Sequence, residues 1–177
     1  MHIFISFGAN IPGPWGTPYQ TIQKALTIVQ VNKLNVGSVS RCYLTAPAGP
    51  GNQGSYLNGV LSAECTKPPK SLLAMLKQME RAAGRRGYGI PNGPRSLDLD
   101  ILDYGGLILK DRNLSLPHPR LHLRPFVLRP LAEVAPHWIH PTLKITTTQL
   151  WQGNYANREG RILNELERQE GPEVSLK

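Results

Sequence analysis

The chain has 177 residues, of which 40% are hydrophobic and 18% are charged, a composition ordinary for one globular domain. Its formal net charge of +8 favours an anionic partner, either nucleic acid or a polyphosphate ligand. No window approaches the roughly 20 apolar residues of a membrane span, and the first residues show no signal-peptide pattern. We therefore expect a cytoplasmic protein without a membrane partner, with a single domain over residues 1–177 and a polar tail from about 151.

The first part of the chain favours strands separated by one helix. "HIFISFGAN" (2–10) predicts a strand that runs into a turn, and the apolar spacing over 17–30 predicts an amphipathic helix. "VGSVSRCYL" (36–44) and "YLNGVLSAEC" (56–65) predict two more strands. The segment between them (45–55) is dense in Gly and Pro and predicts a loop.

The next segments predict a second helix and a fourth strand. Thr66 is the expected N-cap of this helix, which should end near residue 84. "SLDLDILDY" (96–104) predicts the fourth strand. The glycines at 105–106 predict a hairpin turn into "LILK" (107–110).

Two helical segments are expected further along the chain. "FVLRPLAEVA" (126–135) predicts a third helix, and 158–169 is also expected to be helical. The order strand, helix, strand, strand, helix, strand matches a split βαβ pair. We therefore predict an α+β fold, a ferredoxin-like sandwich whose mainly antiparallel sheet carries helices on one face.

Two aspartates, Asp98 and Asp100, interrupt an aliphatic run in "GPRSLDLDIL" (93–102). Because side chains alternate along a strand, Leu97 and Leu99 point one way and the two aspartates point the other. Carboxylates about 6.6 Å apart along a strand suit a pair of divalent cations used in phosphoryl chemistry. A D-x-D pair alone is more often a solvated strand face, so its surroundings decide the interpretation.

The surroundings favour a nucleotide site. Arg95 shares the motif, and "PHPRLHLRPF" adds His118, Arg120 and Arg124 after the strand. Carboxylates that hold metal and arginines that hold phosphate are the two halves of a nucleoside-triphosphate site. No Walker A sequence occurs, which excludes an ordinary P-loop. His118 and His122 have the i, i+4 spacing of a zinc pair, but neighbouring prolines disfavour the helix that would align them.

An RNA-binding module is the alternative from another functional class, since ferredoxin-like sheets also serve as RNA platforms. It would explain the net charge of +8. However, the aromatic RNP1 pattern is missing, and paired aspartates in a basic cleft would repel phosphate unless metal intervened. We therefore expect no nucleic-acid partner.

Five segments together resemble the 6-hydroxymethyl-7,8-dihydropterin pyrophosphokinase family of folate biosynthesis: "FGAN", "TAPAGPGNQGSYLN", "LLAMLKQMERAAGR", "GPRSLDLDIL" and "LPHPRLHLRPFVLRPLAEVAP". The resemblance covers about residues 3–141. It implies transfer of the β,γ-pyrophosphoryl group of ATP to the pterin hydroxymethyl oxygen, with release of AMP. The expected partners are ATP and the dihydropterin, bound by a monomer.

The resemblance also implies roles for individual residues. Asp98 and Asp100 would bind two Mg²⁺ ions, with ATP as co-substrate. The residues implied in catalysis are Arg85, Arg95, Asp98 and Asp100. Those implied in ATP binding are Lys77, Glu80, Arg85, Arg95, His118 and Arg124. Those implied in pterin binding are Thr45, Pro47, Tyr56, Asn58, Asp98 and Phe126.

The pterin assignments agree with the chemistry of a flat, polar heterocycle. Two aromatic side chains, Tyr56 and Phe126, would hold its faces, although core packing alone would also explain them. Asn58 would read its hydrogen-bonding edge, because an amide supplies both a donor and an acceptor.

The segment "GRRGYGIPNGPR" (84–95) is expected to be a mobile lid, because its glycines and prolines leave it little regular structure. The arginines near its two ends would close on the same triphosphate. The segment departs from the family pattern at Gly87 and Pro91, where basic residues are common, and at Asn92, where a tryptophan is common.

Overall fold

The computed structural model describes residues 1–48, 52–85, 93–153 and 160–166. These residues form strands and helices with the following bounds: β1 His2–Ala9, α1 Pro18–Val31, β2 Asn35–Val39, β3 Tyr43–Thr45, β4 Tyr56–Glu64, α2 Pro69–Ala82, β5 Asp98–Tyr104, β6 Leu109–Lys110, β7 Ser115–Leu116, α3 Pro125–Val134, α4 Thr147–Gly153 and β8 Ile162–Glu165. A short 3-10 turn, Leu121–Leu123, precedes α3.

The main sheet has the strand order β5-β1-β4-β3-β8, and β2 also pairs with β4. Every pairing recorded in this sheet is antiparallel. The order places β1 and β4 next to each other at the centre of the sheet. They are the first and third strands of the predicted motif, and two interleaved split β-α-β units require this arrangement. The predicted α+β sandwich with a mainly antiparallel sheet is therefore confirmed.

One face of the sheet is covered by α1 and α2. Phe7 of β1 and Leu99 of β5 are at most 2% exposed and pack in the same cluster as Leu76 of α2. α1 begins where the apolar spacing predicts, because Thr17 forms a reciprocal capping box with Gln20.

The opposite face also carries helices, so they are not confined to one face as expected. Phe4 of β1 and Leu102 of β5 are at most 1% exposed and pack with Leu128 of α3 and Leu150 of α4. These helices do not bury the other end of β5, where the side chains facing this side are only partly buried. That uncovered part of the sheet is available for a site.

The strand predicted over 36–44 is split into β2 and β3. Ser40 lies at the break, where its Oγ accepts a hydrogen bond from Val60 N (3.0 Å) and donates one to Arg41 O (2.8 Å). The Ser40 side chain therefore takes part in the hydrogen bonding to β4. The register of β2 against β4 has already shifted between Val36 and Val39, before β3 begins.

The second helix starts later than predicted. Its N-cap is Pro68 and not Thr66. Pro68 is extended (φ −54°, ψ 149°), as expected for a residue that precedes a proline, so the helix begins only at Pro69.

The predicted hairpin after β5 is wrong in its strand pairing. Gly105 and Gly106 do form a turn, and both have positive φ. However, β6 pairs with β7 in a separate two-stranded sheet. β5 instead receives a hydrogen bond from the chain after β7, in which His118 N donates to Leu102 O (2.8 Å).

The helix predicted over 158–169 is also wrong where the chain is described. Residues Ile162–Glu165 form strand β8, which pairs with β3. An edge strand that offers backbone donors and acceptors overrides local helical preference. The rest of the predicted helix lies mostly outside the described residues.

In the described segments, no helix combines the length and the apolar character that crossing a membrane requires.

The packing of α3 predicts a stability effect. Leu128 is 0% exposed, so we expect Leu128→Ala to lower the free energy of unfolding by about 2–5 kcal/mol. Leu143, which is 43% exposed, is the control. Leu143→Ala should change the free energy of unfolding by less than about 0.5 kcal/mol. Urea unfolding followed by circular dichroism measures both. Equal, small effects would contradict the packing of α3 as a core helix.

Candidate active site

A cavity of about 440 Å³ lies on the uncovered part of the sheet. It is lined by residues of β3, β4, β5 and α3, of the segment that follows β3, and of the segments that precede β5 and α3: Thr45, Ala46, Ala48, Tyr56, Asn58, Arg85, Arg95, Asp98, Asp100, His118, Arg120, Leu123, Arg124 and Phe126. Most of the residues predicted from the sequence line it. The exceptions are Lys77, Glu80 and Pro47, which do not.

The two aspartates reach the cavity because β5 alternates its side chains. Leu99 and Ile101 are at most 3% exposed on the face covered by α1 and α2. Asp98 and Asp100 are 34% and 28% exposed and line the cavity on the other face. Burial of the leucine face therefore determines the direction in which both carboxylates point.

Two arginines neutralise Asp98. Arg85 NH1 lies 2.8 Å from Asp98 Oδ1, and Arg95 NH1 lies 3.2 Å from the same oxygen. Arg85 NH1 also lies 2.6 Å from Glu80 Oε2. The segments on both sides of residues 86–92 thus meet at one carboxylate.

A second set of basic side chains surrounds Asp100. Lys77 Nζ lies 3.6 Å from its Oδ1, while His118 Nε2 and Arg124 NH1 each lie 3.9 Å from its Oδ2. Burial raises the pKa of this carboxyl, but the combined effect of Lys77, His118 and Arg124 outweighs it and lowers the pKa overall. Burial, together with the charge of Asp100, raises the pKa of Asp98. Asp100 is therefore the more firmly ionised of the pair.

His118 is a neutral imidazole that faces Asp100. Arg120 N donates to its Nδ1 (3.2 Å), so the proton of the neutral ring lies on Nε2, which faces Asp100. Burial lowers the pKa of His118 to about 4, in spite of the nearby carboxylate. At neutral pH this side chain therefore offers an N–H without a full charge.

Glu80 lies behind the cavity and is 1% exposed. It accepts hydrogen bonds from Leu99 N (2.7 Å) and Lys77 Nζ (2.7 Å), in addition to its ion pair with Arg85. Burial raises the pKa of Glu80, and its bonded partners oppose that change. Glu80 and Lys77 thus connect α2 to β5 and hold residues that do line the cavity.

The other end of the cavity carries the residues predicted to hold a pterin. Asn58 Nδ2 donates to Thr45 Oγ1 (2.8 Å), and both residues are buried. Tyr56 OH donates to Gly93 O (2.7 Å), and burial raises the pKa of this phenol to about 12. The Arg124 guanidinium lies 5.4 Å from the centre of the Phe126 ring.

Gly8 of β1 lies between these two ends of the cavity. In the sheet register it is paired with Asn58 on one side and with Asp98 on the other. A Cβ atom at this position would collide with Asn58 Oδ1. The missing side chain therefore leaves room for the amide at this end of the cavity.

Asn10 is a supporting residue to which sequence reasoning gave no role. Its Oδ1 accepts from Arg95 N (2.7 Å), its Nδ2 donates to Gly54 O (3.2 Å), and its own N donates to Arg95 O (2.9 Å). It therefore fixes the backbone of Arg95 against the end of β1. The available signal was its place in "FGAN", directly after the first strand. Cavity residues that sequence reasoning also left without a role are Ala46, Ala48 and Leu123, whereas Arg120, expected near phosphate, does line the cavity.

Two further predictions have different outcomes. The predicted lid over 84–95 falls mainly on residues 86–92, which lie outside the described residues and include Gly87, Pro91 and Asn92.

The two histidines considered as a zinc pair have different neighbours. His118 faces Asp100, whereas the His122 ring packs against the ring of His140 at 5.9 Å between centroids.

The donor set of the cavity fits magnesium. Two carboxylates from one strand, Asp98 and Asp100, share one face and meet the same cavity. Among the described residues, no group of three or more His, Cys, Asp or Glu side chains could hold a metal ion. Magnesium usually takes only one or two protein carboxylates and completes its shell with water and phosphate oxygens.

Comparison with known proteins identifies relatives of this chain. A family model described as "7,8-dihydro-6-hydroxymethylpterin-pyrophosphokinase (HPPK)" matches residues 4–136. The "2-amino-4-hydroxy-6-hydroxymethyldihydropteridine pyrophosphokinase" of Haemophilus influenzae is 35% identical over 148 residues, which cover 81% of this chain and 88% of that protein. The protein of the same name from Synechocystis is 36% identical over 147 residues, or 82% of this chain and 72% of that one.

Other relatives are much longer. The "Folic acid synthesis protein FOL1" of Dictyostelium discoideum is 36% identical over 148 residues, which are 84% of this chain but only 22% of that protein. The solved structure of wild-type Plasmodium falciparum HPPK-DHPS aligns with a TM-score of 0.66 at 14% identity, over 86% of this chain and 40% of that chain. At this identity the structural match supports the fold alone.

The family model spans most of the chain, and both bacterial relatives exceed 30% identity over most of each chain. The predicted resemblance is thereby confirmed. The chain belongs to the 7,8-dihydro-6-hydroxymethylpterin-pyrophosphokinase (HPPK) family.

Proposed function

We propose that this protein transfers pyrophosphate from ATP to the hydroxymethyl group of 6-hydroxymethyl-7,8-dihydropterin, giving AMP and the pterin diphosphate, a step of folate biosynthesis. The observation that carries the proposal is one cavity with two chemically different sets of side chains. One set is a pair of carboxylates among arginines, and the other is an oriented amide together with two aromatic side chains. The family and the names of the bacterial relatives support the same reaction.

The triphosphate is proposed to lie over β5. Arg85 and Arg95 lie against Asp98. Phosphate oxygens would give these arginines new anionic partners, and bidentate guanidinium–phosphate contacts are strong. Arg124 and the N–H of His118 approach from the side of Asp100 and would contact the same phosphates.

Asp98 and Asp100 would hold Mg²⁺, and we propose two ions. When bound, Mg²⁺ would supply neutralisation of phosphate charge and alignment of the transferred group. The arginines at Asp98, which are Arg85 and Arg95, would then bind phosphate oxygens. A partly buried carboxylate needs a positive partner, and both arginine and a metal ion can supply one.

The pterin ring is proposed to lie between Tyr56 and Phe126. The bond between Asn58 Nδ2 and Thr45 Oγ1 fixes the orientation of the amide, and leaves its Oδ1 and second N–H to read the edge of the heterocycle. The bond from Tyr56 OH to Gly93 O holds the phenol ring in place. Backbone groups near Thr45 and Pro47 would complete recognition, with Ala46 and Ala48 lining the cavity there.

The roles of Lys77 and Glu80 are proposed to be mainly supportive, because neither lines the cavity. Glu80 positions Arg85 through a 2.6 Å ion pair, and Lys77 lies 3.6 Å from Asp100. Both were among the residues implied in ATP binding, and Glu80 was expected to help hold the architecture of the nucleotide side. The single-domain organisation over residues 1–177, the monomeric state and the cytoplasmic location stay predictions.

A direct assay tests the function. Incubation of the protein with ATP, Mg²⁺ and 6-hydroxymethyl-7,8-dihydropterin should give AMP and the pterin diphosphate in equal amounts, as measured by chromatography. The reaction should require the pterin and should stop when EDTA is added. Formation of ADP in place of AMP, or AMP release that does not depend on the pterin, would contradict pyrophosphate transfer.

The carboxylate pair yields a mutational prediction. Asp98→Asn and Asp100→Asn keep the side-chain shape but remove the charge that holds metal, so each should lower kcat by about 100-fold or more. Asp111→Asn is the control, because Asp111 pairs with Lys70 outside the cavity. AMP release at saturating Mg²⁺ provides the measurement. Near-normal turnover by either cavity variant would refute the metal site.

Pterin recognition yields a second mutational prediction. Phe126→Ala deletes one stacking surface, so pterin affinity should fall by about 10-fold or more while nucleotide affinity changes little. Calorimetry with each ligand, using a nonhydrolysable ATP analogue, measures both affinities. Equal losses for the two ligands would indicate general damage to the cavity and would remove Phe126 from the pterin subsite.

A further inference from the structure

The segment 160–166 lies beyond the part of the chain that the family model matches, yet it contacts the cavity wall. Strand β8 extends the sheet at β3, with Thr45 opposite Ile162. Ala46 N also donates to Arg161 O (3.0 Å). Thr45 and Ala46 both line the cavity, so the segment braces the backbone at the proposed pterin end.

The far end of this segment is anchored to the core. Glu165 Oε1 accepts hydrogen bonds from two nitrogens of Arg129 on α3, at 2.7 and 3.1 Å. Its other oxygen lies 3.1 Å from Arg41 NH1. Leu166 N donates to Cys42 O (2.9 Å). These contacts hold the strand between α3 and the β3 edge.

Gly160 begins the segment and lies against Phe126. It is buried and has φ +66°. A Cβ atom at this position would overlap Phe126 Cδ1 and lie 2.8 Å from Cε1. Only glycine satisfies both the backbone conformation and the space beside the ring.

We propose that residues 160–166 are a positioning element of the pterin subsite, in which Gly160 sets the placement of the Phe126 ring and Arg161 that of the Thr45–Ala46 backbone. The inference rests on the proposed function, because it takes Phe126 and Thr45 as pterin-binding residues. It adds Gly160 as a residue that determines affinity for the pterin without touching it.

The contacts of this segment predict a selective effect. Gly160 and Arg161 contact Phe126 and Ala46. The recorded ion pairs and hydrogen bonds of Asp98 and Asp100, within the described residues, involve Lys77, Arg85, Arg95, His118 and Arg124. Arg124 is the link between the two sets, because its guanidinium lies 5.4 Å from the centre of the Phe126 ring. A change at Gly160 should therefore weaken pterin binding more than ATP binding.

The chain offers a matched control for the test. Gly106 also has a left-handed backbone (φ +74°), but a Cβ there would meet nothing within 4 Å. Gly106→Ala and Gly160→Ala thus share the backbone strain, and only the second collides with Phe126. We expect Gly160→Ala to raise the KM for the pterin by about 10-fold or more, with the KM for ATP within about twofold of wild type. Both KM values of Gly106→Ala should stay within about twofold.

A double variant tests whether Gly160 acts through the ring. Phe126→Ala removes the ring atoms that a Cβ at position 160 would meet, so adding Gly160→Ala to it should not raise the KM for the pterin further. Additive effects would overturn the proposed route through Phe126.

The outcomes separate the two proposals. If the wild-type protein forms no AMP, the proposed function fails and this inference fails with it. If wild type is active but Gly160→Ala gives the same KM values as Gly106→Ala, or raises both KM values equally, only the positioning role is overturned.

If Gly160→Ala does not fold, Glu165→Ala tests the positioning role instead, because it removes the contact that anchors β8 to Arg129. A rise confined to the KM for the pterin supports the role, and no change or an equal rise in both overturns it.

Discussion

The alternation of side chains along β5 is the constraint on which the rest of the site depends. Leu99 and Ile101 are buried against α1 and α2, and their burial leaves Asp98 and Asp100 no other direction than the cavity. Two like charges on neighbouring outward positions repel each other. The surrounding cations, from α2 and from the segments that flank β5, offset this repulsion in the protein without ligand. The charge pattern of the site is therefore a consequence of how the core is packed.

The cations are divided between the two aspartates, and that division gives the two carboxyls different properties. Two guanidinium groups lie 2.8 and 3.2 Å from Asp98. Asp100 faces a lysine at 3.6 Å, and a neutral imidazole and an arginine at 3.9 Å each. Glu80 connects the partners of the two aspartates, because it binds both Arg85 and Lys77. It also accepts a hydrogen bond from Leu99 N within β5. One buried carboxylate thus couples the helix, the strand and the charged groups of the cavity.

The sequence predicted those parts of the fold that depend on local pattern. The apolar spacing over 17–30 and the alternation over 96–104 are strong short-range signals, and the helix Pro18–Val31 and the strand Asp98–Tyr104 lie where they predict. The pairing of β8 with β3, and the failure of 107–110 to return to β5, depend on which edge is open in three dimensions. No local pattern carries that information.

The site followed the same rule. Most cavity residues came from motifs that resemble the family, but Asn10 was missed because its role is visible only when the end of β1 meets Arg95. Lys77 and Glu80 were expected at ATP, and their places behind the cavity result from the packing of α2 on β5. Motifs therefore identified the set of residues, and tertiary contacts separated those that line the cavity from those that support it.

Gly8 has a consequence for the dimensions of the substrates. Asn58 and Asp98 stand on the two strands that flank β1 and share Gly8 as their register partner. The backbone distance between Asn58, proposed to read the pterin, and Asp98, proposed to hold metal, is thus set by two strand spacings, about 4.8 Å each. Backbone ladders hold this interval more rigidly than rotatable side chains could. If the proposed roles hold, the sheet fixes how far apart the heterocycle and the transferred phosphates can lie.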